Sequence, residues 1–207
     1  MKIESSIYFR RNIIQLYEYF QPLLQLVGLV NISNFSKRTK IKNIGKKHNI
    51  FTVIETGTYL GLSTLYFSKK FKDVHTIELD PKLFLMAKQK LGKYRNIHLE
   101  LGSSDEKLSI ILSKIKEPVL FFLDAHASGG ITTSGIEPSP IKRELKVIEK
   151  FNMITKSVII IDDAQGFDGT NSYPTFEYVA NWASKLNMSE PIMEKNMIVI
   201  TPNLTNQ

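Results

Sequence analysis

The stretch "VIETGTYLGLST", residues 53–64, decides the fold. An apolar, β-branched run meets an acid at Glu55. Glycines follow at Gly57 and Gly61, and a helix-compatible segment begins after them. A strand, a glycine turn and a helix in that order make a nucleotide-binding turn. Two details depart from the dinucleotide version. The G-x-G-x-x-G spacing is absent, and a carboxylate stands where a pyrophosphate would be repelled. The expected ligand is therefore a nucleoside without phosphate at this turn.

Outward from residue 64 the pattern alternates. "STLYFSKKF" reads as helix, "VHTIEL" as strand, and "PKLFLMAKQKLG" as helix with Pro81 in its first turn. "NIHLEL" and "DEKLSIILSKI" repeat the pair, then "VLFFLD" and "SPIKRELKVIEKF", then "SVIIID" and "TFEYVANWASKL". The end, "PIMEKNMIVITP", reads as an antiparallel pair turning at Lys195-Asn196. Strands alternating with helices predict an α/β fold with a parallel sheet covered on both faces. Ligands in such sheets sit beyond the carboxyl ends of the strands. Those ends are Glu55, Glu78, Gly102–Ser104, Asp124 and Asp162–Asp163. Acids close four of the five.

Composition bounds the rest. The 207 residues are 43% hydrophobic, enough for a full core. No run of 18 or more apolar residues predicts a spanning helix. The first residues lack the apolar block of a signal peptide, so a cytoplasmic protein is expected. Zero cysteines exclude disulfides, thiolate metal sites and cysteine nucleophiles. Charge is uneven. Residues 1–48 hold nine of the 27 Lys/Arg and two of the 20 Asp/Glu, leaving 18 of each sign beyond them. We therefore divide the chain into a basic arm, 1–48, and a balanced domain, 49–207. Apolar residues from Ile13 to Val30 recur at helical spacing, with Pro22 as a break. This helical arm packs on the domain, joins copies of the chain into a homo-oligomer, or lies peripherally on a membrane surface. Lys37–Lys47 reads as a solvated linker. The balanced domain offers no electrostatic track, so no nucleic-acid partner is expected.

The ordered set of strand ends resembles the class I S-adenosylmethionine-dependent methyltransferases over roughly residues 50–201. "ETGTYLG" is similar to that family's acid-x-Gly-x-Gly-x-Gly turn, with Tyr59 replacing the middle glycine. Glu78 matches the ribose-binding acid and "LGSSD" the adenine-side turn, where Ser103 stands in place of the usual acid. The resemblance implies a Rossmann-like methyltransferase fold, a mostly parallel seven-stranded sheet ending in an antiparallel hairpin. It implies S-adenosylmethionine as cofactor, held by Glu55, Thr56, Gly57, Thr58, Tyr59, Gly61, Ser63, Thr64, Glu78, Leu79, Gly102, Ser103, Ser104 and Asp124.

"FFLDAH" and "IIIDDA" further resemble the metal-dependent O-methyltransferases of the catechol and caffeoyl-CoA type and their bacterial macrolide-sugar relatives. That implies Mg²⁺ or another divalent cation on Asp124, Asp162 and Asp163, with oxygen ligands suited to a hard ion. His126 and Asp124 are the implied catalytic residues, His126 as base. The acceptor implied is a hydroxyl on a small molecule or saccharide. "ASGGITTSGIEPSP", 127–140, reads as a lid or a plain loop, and Phe167 and Tyr173 as ring-stacking or core residues. A non-catalytic binding or assembly module is the alternative.

Overall fold

The computed structural model describes residues 32–124, 139–170 and 172–203, with side chains from residue 35 onward. The arm helix expected over 7–30, His126 and residues 127–138 lie outside the described residues. Two compact units divide the chain, Met1–Lys40 and Ile41–Gln207. Among the described residues no helix is long and apolar enough to cross a membrane.

The first helix, α1, covers Ile32–Lys47. The segment read as a solvated linker is therefore helical. Among its lysines Ile41 and Ile44 stand three residues apart, and both are buried. Charge density alone hid that spacing. The chain then alternates as β1 (Thr52–Thr56), α2 (Leu62–Ser68), β2 (Asp73–Glu78), α3 (Pro81–Leu91), β3 (Ile97–Leu101), α4 (Ser104–Leu112), β4 (Val119–Leu123), α5 (Ile141–Ile148), β5 (Val158–Asp162), α6 (Phe176–Lys185), β6 (Ile192–Glu194) and β7 (Met197–Ile200).

The sheet has seven strands in the order β3-β2-β1-β4-β5-β7-β6. The five from β3 to β5 are parallel. Strand β7 joins β5 antiparallel, and β6 pairs with β7 through a tight hairpin. Lys195 and Asn196 both take left-handed backbone there (φ 53° and 58°), as a two-residue turn matching strand twist requires. This is the Rossmann-like methyltransferase fold that the alternation and the terminal hairpin predicted.

Side-chain alternation builds the two layers. Ile54, Phe121, Ile159 and Ile198 point into one core, with Leu108 of α4, Leu145 and Ile148 of α5 and Trp182 of α6. Val53, Phe122, Ile160 and Val199 point into the other, with Ile41, Ile44 and Phe67. Central strands buried on both faces must be apolar throughout, which explains "VLFFL". Strand order reverses between β1 and β4, so the crevice beyond their carboxyl ends is the place where this topology holds a ligand.

Candidate active site

The turn after β1 is built around bent backbone. Gly57, Tyr59 and Gly61 all have positive φ (83°, 49° and 68°). At Gly61 a Cβ would stand 2.8 Å from Leu91 Cδ1, so the turn closes against α3 only with glycine there. Tyr59 occupies the left-handed region despite its bulk. Its N–H donates to Glu78 Oε2 at 2.7 Å, which holds the strained residue in place. Its side chain is half exposed.

Glu78 ends β2 and is buried. Its other oxygen, Oε1, accepts from Asp80 N at 2.9 Å. Asp80 in turn caps α3, accepting from Lys82 N (2.7 Å) and Leu83 N (3.0 Å). Each carboxylate oxygen can accept two hydrogen bonds, so Glu78 keeps capacity for ligand hydroxyls while bracing the turn. Leu79 and Leu101, at the ends of β2 and β3, are exposed apolar neighbours of that edge. Gly102 follows with φ 142°, and its N–H donates to Glu78 O at 2.9 Å. Ser103 stands at the N-cap position of α4, and its hydroxyl turns to the Asp105 carboxylate.

Glu55 does something the sequence did not suggest. It is 1% exposed. Oε2 accepts from the hydroxyls of Thr64 and Thr76, the latter at 2.8 Å. Thr76 and Thr58 hydroxyls also pair at 2.6 Å. The buried acid therefore ties β1 to α2 and β2 beneath the turn. Thr58 and Thr64 spend their hydroxyls in this network, leaving backbone as their means of reaching a ligand.

The residues expected to hold a metal are Asp124, Asp162 and Asp163. Among the described residues no three His, Asp or Glu side chains come together as a metal site. Asp163 takes left-handed backbone (φ 55°). Asp163 Oδ1 accepts from Asn196 Nδ2 (3.2 Å), and Asp162 Oδ1 from Asp163 N (2.9 Å). All three aspartates, Asp124, Asp162 and Asp163, lie close enough to act on the Tyr173 hydroxyl. Asp124 itself is placed beside β1, its N–H donating to Thr56 O at 3.1 Å. Phe167 is a buried core residue, and Tyr173 packs edge-on against it with centroids 5.3 Å apart. Burial, then the charges of Asp163, Asp124, Asp162 and Glu144, push the Tyr173 hydroxyl up to about 12. It keeps its proton at neutral pH.

Sequence reading missed Glu144, on α5. It is fully buried, and neither carboxyl oxygen has a hydrogen-bond partner in the structure. The Ser104 and Thr56 hydroxyls lie beside it without a bond of full geometry, and Thr56 Oγ1 is likewise unpartnered. Burial pushes the Glu144 carboxyl up to about 7, against the pull of those two hydroxyls. The signal was in the helix period. Glu144 shares the buried stripe of Ile141, Leu145 and Ile148.

No protein-family model matches the chain. A curated relative, ribosomal RNA small subunit methyltransferase A of Syntrophus aciditrophicus (strain SB), is 28% identical over 122 residues, covering 51% of this chain and 43% of the relative. The chain thus matches less than half of that protein's length. Among solved structures, a provisionally assigned caffeoyl-CoA O-methyltransferase from Staphylococcus aureus superposes with TM-score 0.60 at 14% identity, over 95% of this chain and all of that one. The O-methyltransferase TomG of Streptomyces achromogenes, in complex with SAM, gives 0.56 at 13% identity over 87% and 86%. An SAH complex of a Bacillus cereus O-methyltransferase gives 0.53 at 16% over 80% of each chain. At these identities the likeness is one of fold.

Proposed function

We propose that this chain transfers a methyl group from S-adenosylmethionine to a hydroxyl of a small molecule or saccharide. The observation that carries the reading is Glu78. A buried carboxylate at the end of β2 braces a phosphate-poor glycine turn through Tyr59 N, with acceptor capacity left for two ribose hydroxyls. Leu79 and Leu101 would flank the base, and the backbone of 57–61 would approach the methionine part. The bound cofactor supplies an electrophilic methyl on its sulfonium.

The chain's own residues then have three tasks. The turns after β1 and β3 orient the nucleoside, which is most of the rate advantage available to a displacement. Asp124, at the end of β4, orients the acceptor hydroxyl beside His126, which takes the proton it loses. Tyr173 stays protonated and offers a hydrogen-bond donor to the acceptor oxygen. His126 keeps its expected role as base from sequence alone. Asp124, Asp162 and Asp163 are the residues that would hold a divalent cation, which would lower the pKa of the acceptor hydroxyl.

RNA methylation is the second reading, favoured by the partial ribosomal RNA methyltransferase match. Against it stand "DAHA" at 124–127, where amino-methylating enzymes carry an Asn/Asp-Pro-Pro-aromatic run, and the balanced charge of residues 49–207. The arm, 1–48, enters here as an oligomerising or membrane-surface element. The test is label transfer from methyl-tritiated S-adenosylmethionine to saccharide, phenolic and RNA acceptors. Label in methyl ethers of the first two classes supports the reading. Label entering RNA alone overturns it.

A further inference from the structure

An acid in the middle of a buried helical stripe needs a compensating interaction. A leucine at position 144 would continue the apolar run of Ile141, Leu145 and Ile148 and avoid the desolvation of a carboxyl. Glu144 instead buries two oxygens without hydrogen-bond partners. Its surroundings say where the compensation lies. Thr56 is the last residue of β1 and leads directly into the glycine turn. Ser104 is the first residue of α4 and closes the turn after β3. Their hydroxyls are the two groups of other elements that favour the charged Glu144 carboxyl, while the Asp105 charge on α4 opposes it. The rim above is clamped in the same direction, since Arg143 Nε meets Asp105 Oδ2 at 3.3 Å between α5 and α4.

We propose that Glu144 is a positioning residue of the cofactor site: its carboxyl links Thr56, under the turn after β1, to Ser104, under the turn after β3, and sets the spacing of the two turns that grip the nucleoside. This rests on the methyltransferase reading above. Both hydroxyls lie beside the carboxyl without the cofactor, so the gap between the turns is set before it binds. Glu144 touches neither cofactor nor acceptor. It trades stability of the free protein for a preformed gap between the turns.

The trade gives a signature that an ordinary core residue lacks. The variant Glu144→Leu is expected to raise Tm while the Kd for S-adenosylhomocysteine and the KM for S-adenosylmethionine rise at least tenfold, with KM rising more than kcat falls. Glu144→Gln, which keeps shape and both hydrogen-bonding senses, is expected to stay within threefold of the wild type in both constants. Thr56→Val is expected to weaken binding in the wild type and to add little in the Glu144→Leu background. Undiminished affinity in Glu144→Leu or additive losses in the double variant would overturn the proposal while leaving the methyltransferase reading intact. Failure of the wild type to bind S-adenosylhomocysteine would overturn both. Should Glu144→Leu not fold, Glu144→Gln and Thr56→Val decide alone: equal losses in the two, or none in either, overturn the link.

Discussion

The two ends of this sheet are built on different principles. At the carboxyl end the backbone bends to positive φ at Gly57, Tyr59, Gly61, Gly102 and Asp163, and four carboxyls, Glu55, Glu78, Asp80 and Glu144, are buried. At the amino end the polar groups pair with each other near solvent. Thr52 donates to Glu117, His98 Nε2 stands 3.4 Å from Asp73 Oδ1, and the rings of His75 and His98 stack at 4.6 Å. A cavity of about 460 Å³ opens there between Thr52, Asp73, His75, His98, Lys114 and Glu117. It is open and of mixed charge, and Asn49 before β1 takes left-handed backbone at this end too (φ 54°), whereas the buried acids lie at the other end. Buried charge persists only where the surroundings impose it, and it gathers at functional sites. The contrast supports the proposal of a ligand at the carboxyl end.

The largest expected effect comes from Gly61→Val. It places a branched side chain at φ 68° and against Leu91 at 2.8 Å. We expect a loss of about 3 kcal/mol or more of stability from steric overlap and the left-handed backbone together, read by urea denaturation, and loss of cofactor binding with it.

The two ends also titrate with opposite sign. Glu144 has its folded pKa raised to about 7 by burial, from 4.5. Its contribution is complete below pH 4.5 and is lost as pH rises through 7, a slope worth roughly 3 kcal/mol. Glu144→Gln is expected to flatten that decline between pH 5 and 8. His75 is lowered to about 4, by burial first and then by the neighbouring His98. Its contribution is complete above pH 6.5 and is lost as pH falls through 4. Because the ring is partly solvated, about 1–2 kcal/mol is expected. His75→Phe should remove that opposing slope, so the decline due to Glu144 steepens over the shared window from pH 4.5 to 6.5. Matching slopes in both variants would break the comparison. The smallest effect is expected from Lys116→Ala at the amino end, which should leave the affinity for S-adenosylhomocysteine within twofold of the wild type.

Much of this was legible from sequence because it depends on local pattern. "VLFFL" can only be a strand buried on both faces, and Lys195-Asn196 between two apolar runs can only be a tight turn in this context. The glycine turn was found by its spacing. What escaped depends on partners distant in the chain. The bonds of Glu55 to Thr64 of α2 and Thr76 of β2 show only once the chain is folded. The contact of Asp163 with Asn196 of the hairpin is of the same kind. Glu144 was hidden by residue type, since a glutamate suggests solvent even where the helical period says core.

The central claim is that the turns after β1, β2 and β3 hold a phosphate-free nucleoside through Glu78. Calorimetric titration of wild type and Glu78→Ala with S-adenosylhomocysteine tests it most directly. The account predicts one site per chain in the wild type and at least a tenfold weaker one in Glu78→Ala, about 1.4 kcal/mol of binding free energy. Equal affinity in the two proteins, or no heat of binding in the wild type, would contradict it.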